Sequence, residues 1–117
     1  MLEYFKIETE TLTPDEIRAA RIIAEKIRGN IGEANAAKSS HIIQVMERDY
    51  ACILTGARLR KIINHIRRSG LVRNLVASSK GYYVENNPDK IREYIDSLKA
   101  RAGAIMEVAK SFDSVIV

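Results

Sequence analysis

The side chains best equipped for chemistry in this 117-residue chain are His41, His65, Cys52 and the run Ser78-Ser79-Lys80. None stands at a spacing that makes a site. Neither histidine has a cysteine or a pair of carboxylates at ligand distance, so no metal set is expected. His41 follows Ser39 and Ser40 where a helix begins, and sequence neighbours do not make a triad, which is a matter of geometry. Ser78-Ser79-Lys80 lacks the helical S-x-x-K spacing and falls at a turn. The glycines are scattered at turns, with no phosphate-cradling loop among them. Cys52 lies in the apolar run Tyr50-Ala51-Cys52-Ile53-Leu54 and reads as a small buried hydrophobe. A single cysteine also excludes an intramolecular disulfide. Neither catalysis nor a cofactor is expected.

The chemistry the sequence does offer is ionic. From Tyr50 to Val84 there is no Asp or Glu, while Arg58, Arg60, Lys61, Arg67, Arg68, Arg73 and Lys80 supply seven positive charges. The whole chain is only +4, so the remainder carries a net −3. One basic segment in an otherwise slightly acidic chain is the electrostatic signature that binding to a polyanion requires. A solvated face without a ligand would carry the same charges, although such faces usually mix both signs.

The elements that position these charges follow from caps and periodicity. Residues 1–12 alternate loosely and fit a short strand or an arm. Thr13-Pro14-Asp15-Glu16 starts a helix by cap, first-turn proline and capping box. That helix is expected to run to about Arg28, with Ile17, Ala20, Ile23, Ala24 and Ile27 on its apolar face. A connector over 30–38 includes a short extended piece from Ala34 to Lys38. Ser39 or Ser40 caps a second helix that buries Ile42, Ile43, Val45 and Met46. A turn is expected within Glu47–Leu54. Thr55 caps a third helix over 55–69, with Leu59, Ile62, Ile63 and Ile66 inward and Gly70 as its stop. Leu71–Ala77 and Gly81–Glu85 fit two strands around a tight turn. Asn87-Pro88 starts a final helix reaching about Phe112.

On the third helix, Ala57, Arg60, Lys61, Asn64 and Arg68 lie at spacings of three and four, opposite the isoleucines. Arg60 and Asn64 are types that reach base edges, whereas Lys61 and Arg68 suit phosphates. Arg58, Arg67, Arg73 and Lys80 complete the cationic set. Tyr82 and Tyr83 point to opposite faces of their strand. One of them packs on the core and the other is exposed beside Lys80, and Tyr82 is assigned to the contact set.

Three helices followed by a hairpin is the winged-helix arrangement, a variant of the helix-turn-helix. The run TGARLRKIINHIRRSG followed by LVASSKGYYV resembles the third helix and wing of winged helix-turn-helix proteins, in particular small ones encoded by bacteriophages and integrated elements. The resemblance covers about residues 14–87 and is most specific over 55–84. It implies a DNA-binding fold, with helix 55–69 as reader and hairpin 72–85 as wing. It departs from the pattern at Glu47–Leu54, longer than the usual three- or four-residue turn. Transcription or replication control in a phage or mobile element is the process it suggests, and double-stranded DNA the partner.

In the last helix Ile91, Leu98, Ile105 and Phe112 recur every seven residues, and Tyr94, Ile95 and Val108 widen the stripe. About three heptads of this kind suit a parallel or antiparallel helix pair between two chains, or a helix folded back on its own domain. A homodimer through 88–112 is expected, because such a helix is longer than a small domain covers. The expected class is therefore mainly α with a small β-hairpin (α+β). An arm over 1–12, a winged-helix domain over 13–87 and a long C-terminal helix over 88–117 are expected to make up the chain. The alternative is a winged-helix protein–protein module working through that last helix, and RNA is a third candidate partner. No apolar run approaches the roughly 18 residues of a membrane span. The N-terminus is acidic where a signal peptide is basic and apolar. A cytoplasmic protein, bacterial or phage-encoded, is expected.

Overall fold

In a computed structural model that describes residues 11–116, the chain enters its first helix through the capping box. Helix α1 spans Pro14–Ile27. The Thr13 hydroxyl accepts from the Glu16 amide at 3.2 Å, and the Glu16 carboxylate accepts from the Thr13 amide at 2.9 Å. Two amides that no helical carbonyl can reach are thereby satisfied. The buried stripe is Glu16, Ala19, Ala20, Ile23, Ala24 and Ile27. Ile17, expected inside, is 40% exposed. The helix is turned so that its alanines meet the core and Glu16 points inward.

The connector coils through a 3-10 turn at Glu33–Asn35 instead of forming an extended piece from residue 34. Ala36 and Lys38 are extended, and isolated bridges join Ala37 to Tyr82 and Ile31 to Val84. Helix α2 spans Ser39–Tyr50, with Lys38 at the cap position and no side-chain cap bond, so neither serine caps it. It buries Ile42 and Met46, and leaves Ile43 and Val45 half-buried. It also runs through Glu47, Arg48 and Asp49, where a turn was expected; these residues form its exposed last turn. Ala51 closes it in the left-handed region (φ 51°), and the Cys52 amide reaches back six positions to the Met46 carbonyl at 3.0 Å.

Helix α3 spans Gly56–Ser69, with the Thr55 hydroxyl accepting from the Arg58 amide at 3.1 Å and Gly70 (φ 75°) ending it, as the sequence leads one to expect. Strands β1 (Leu75–Ser78) and β2 (Gly81–Val84) form one antiparallel hairpin in which Leu75 faces Val84 and Ala77 faces Tyr82. The strands are shorter than expected, because residues 71–74 form a turn with Asn74 left-handed (φ 60°). The free edge of β2 is closed by the connector: Ala37 and Tyr82 exchange two backbone bonds of 2.9 Å, and the Val84 amide donates to the Asn30 carbonyl at 2.7 Å. Gly81 makes this closure possible. Its φ is +124°, and a Cβ there would stand 2.4 Å from the Ala37 carbonyl oxygen.

One core unites these elements: Ala19, Ala20, Ile23, Ala24 and Ile27 of α1, Met46 of α2, Leu59, Ile62, Ile63 and Ile66 of α3, and Leu75, Tyr82 and Val84 of the hairpin. Alanines on α1 let its backbone approach α3 closely, while the isoleucines of α3 fill the volume between. The chain divides into two compact units, the first ending at Glu85 and the second starting at Asn86. The second is helix α4, Pro88–Ile116, whose first turn is capped by the Asn87 side chain accepting from the Asp89 amide at 2.9 Å. The molecule is thus mainly helical, with a two-stranded antiparallel hairpin and a long C-terminal helix.

Candidate nucleic-acid interface

Helix α3 sorts the expected contact residues by burial. Gly56, Arg60, Asn64 and Arg67, at spacings of four, four and three, share one face. Arg60 is exposed, whereas Asn64 and Arg67 are half-buried. The Arg60 guanidinium lies over the helix start, since a Cβ on Gly56 would be 3.4 Å from its Nη1. The missing side chain at position 56 leaves that space open. Arg68 is exposed next to this face, and its Nε donates to the Asn64 carbonyl at 3.3 Å, which fixes the guanidinium along the last turn. Arg73 is exposed in the turn between α3 and β1.

Three expected contacts lie inside the fold. Lys61 is 4% exposed, and its ammonium donates to the Glu16 carboxylate at 2.7 Å. That pairing joins α3 to α1, so the charge is spent within the protein. Burial pushes the Glu16 carboxyl up. The hydrogen bonds from Lys61 and Thr13 and the Lys61 charge more than offset this, so its pKa lies below the ordinary carboxylate value. Arg58 adds a looser contact, its Nε 3.9 Å from the other Glu16 oxygen, while its own side chain is half-exposed. Ala57 is 5% exposed and cannot line a groove. Tyr82 is 8% exposed and belongs to the core, because it shares a hairpin face with Leu75, Ala77 and Val84. Its neighbour Tyr83, opposite Val76 on the other hairpin face, is buried as well, so neither tyrosine is the exposed partner of Lys80.

The hairpin tip is held by Ser78, whose hydroxyl accepts from the Lys80 amide at 3.1 Å and donates to the Gly81 carbonyl at 3.2 Å. Lys80 is two-thirds exposed and pairs with Glu33 at 3.0 Å. An exposed pair of this kind is worth little and gives way readily to a competing anion. The start of α2 also escaped the sequence reading. Lys38, Ser39, Ser40 and His41 are all exposed there, and the serine hydroxyls are not engaged in capping. The serine-before-helix signal suggested a cap, and only the backbone conformation at Lys38 shows otherwise.

Clefts of about 350 and 300 Å³ flank α1, the larger lined by Glu16, Ile22, Cys52, Ile53 and Arg58. Among the described residues no group of three or more His, Cys, Asp or Glu side chains could hold a metal ion, and no helix is long and apolar enough to cross a membrane. On α4, Ile91 and Tyr94 are half-buried, whereas Ile95, Leu98, Ile105, Val108 and Phe112 are exposed, the last three by 58–68%. No family model, curated protein or solved structure matches the chain.

Proposed function

We propose that the first unit is a winged helix that binds double-stranded DNA without catalysis, with α3 as the reader and the β1–β2 hairpin as the wing. The observation that carries this reading is the acid-free stretch from Tyr50 to Val84, in which Arg60, Arg68, Arg73 and Lys80 remain at the surface after Lys61 is taken up by the core. Arg60 and Asn64 are the base-edge candidates; Arg67, Arg68, Arg73 and Lys80 are the phosphate contacts, joined by Arg58 and the exposed start of α2. Ala57, Lys61 and Tyr82 no longer belong to the set. The process is transcription or replication control in a phage or mobile element, in the cytoplasm of a bacterial host.

The exposed apolar stripe of α4 supports a homodimer through that helix, which would supply two readers for a palindromic site. The same stripe would serve a protein–protein module that does not bind DNA. Titration of duplex DNA at several salt concentrations separates these readings. Each phosphate contact contributes about 0.9 to the negative log–log salt slope. Arg68→Ala is therefore expected to flatten the slope by about one unit per protomer, and Arg60→Ala to lower affinity for a cognate site. Absence of binding at low salt, or unchanged binding in both variants, refutes DNA recognition. Preference for an RNA hairpin over the duplex redirects it to RNA.

A further inference from the structure

A helix pair can run in either direction, and the residues of α4 discriminate between the two. Its stripe contains one column of Ile91, Leu98, Ile105 and Phe112, and a second of Tyr94, Arg101, Val108 and Val115. Leu98, Ile105, Val108, Phe112 and Val115 are 36–79% exposed in the single chain. Arg101 is the only charge in either column, and it is exposed. We propose that α4 pairs with a second copy of itself in the antiparallel direction, with the two-fold axis crossing near Gly103. This rests on the dimer reading above and gives it a geometry.

Charge supplies the first argument. In a parallel, in-register pair each residue of the second column faces its own copy, so two Arg101 guanidiniums meet at one level of an apolar seam. Neither finds a carboxylate there, and desolvating two like charges is costly. In the antiparallel pair the two columns face each other. Arg101 then lies beside Ile105 of the second copy, where its aliphatic stem packs and its head reaches water at the rim. The remaining layers are apolar throughout: Ile91 with Val115, Leu98 with Val108, and Phe112 with Tyr94. The same register supplies the second argument. Residues flanking the seam then face their own copies across the axis, and these are Ala102 and Ala104 on either side of Gly103. Small side chains at the crossing let the two backbones approach closely, between the two symmetric sets of four layers.

The experiment measures spin-label distances in the full-length protein, with Cys52→Ala as background. Single labels are introduced by D89C, D96C, G103C and K110C, positions seven residues apart on the exposed back of the stripe. At about 1.5 Å per residue, the antiparallel pair separates them along the axis by about 42, 21, 0 and 21 Å. The measured distance should therefore fall from position 89 to 103 and rise again at 110. One constant distance at all four positions means a parallel pair and overturns the antiparallel assignment while leaving the dimer intact. A single-chain mass by light scattering at the same concentration, with no distance at any position, overturns the dimer itself. A single layer of Arg101 decides the direction.

Discussion

Lys61 stands among arginines on a helix without acids, and its neighbours in sequence all suggest a wet cationic face. Its fate is set by Glu16, 45 positions earlier, which the capping box of α1 holds at the one place where the ammonium can reach it. Removing one partner of a buried ion pair leaves the other charge uncompensated. Lys61→Ala is therefore expected to destabilise the fold by about 3 kcal/mol, read as a lower denaturant midpoint, with the salt slope of DNA binding unchanged in the folded protein. A salt slope that falls with no loss of stability would return Lys61 to the interface. The same pair gives a pH dependence of defined sign. The Glu16 carboxyl titrates lower in the folded chain than in the unfolded one, so its contribution to stability is complete only above the unfolded glutamate range, from about pH 5 upward. It is lost as the pH falls through the depressed folded value. In Glu16→Gln the loss of stability on acidification below about pH 5 should be shallower than in the parent, as measured by thermal unfolding across an acid series.

Elements whose signals are local were legible. The capping box at Thr13, the cap at Thr55, the stop at Gly70 and the Asn87 start of α4 each involve residues within a few positions of one another, and each has its expected partner or conformation. Elements closed by distant backbone were not. The connector is expected to be extended from residue 34, yet Glu33–Asn35 coil into a 3-10 turn and extension begins only at Ala36, where Tyr82 offers the neighbouring Ala37 a carbonyl and an amide from across the sheet. The turn expected within Glu47–Leu54 begins only at Ala51, because the polar residues Glu47, Arg48 and Asp49 form the solvent side of the last turn of α2, and a polar stretch reads equally as either. The edge closure has its own test. Gly81→Ala forces a Cβ into the Ala37 carbonyl at a left-handed φ. It should cost about 2–3 kcal/mol and speed hydrogen exchange at the Ala37 and Tyr82 amides, with β1 affected less. Unaltered exchange would mean that the edge is not held through this contact.

For the whole molecule, the division at Glu85 and Asn86 separates a unit with its own core from a single helix with an exposed apolar stripe. A chain ending after Glu85 keeps every residue of that core. It is expected to unfold cooperatively and to sediment as one copy. On a palindromic duplex it should show about half the log–log salt slope of the full chain, because one protomer then neutralises half the phosphates. An undiminished slope would mean that the full chain binds as one copy, and aggregation of the fragment would mean that α4 is needed by the core.

The sequence by itself determined which segments become helices and hairpin, because caps, turn glycines and apolar periodicity act over a few residues. It also determined that positive charge gathers between Tyr50 and Val84. Only the tertiary structure decided which of those charges remain at the surface. Burial depends on partners far along the chain: Glu16 draws Lys61 inward, Ala37 closes the sheet edge beside Tyr82, and Arg60, Arg68, Arg73 and Lys80 are left exposed.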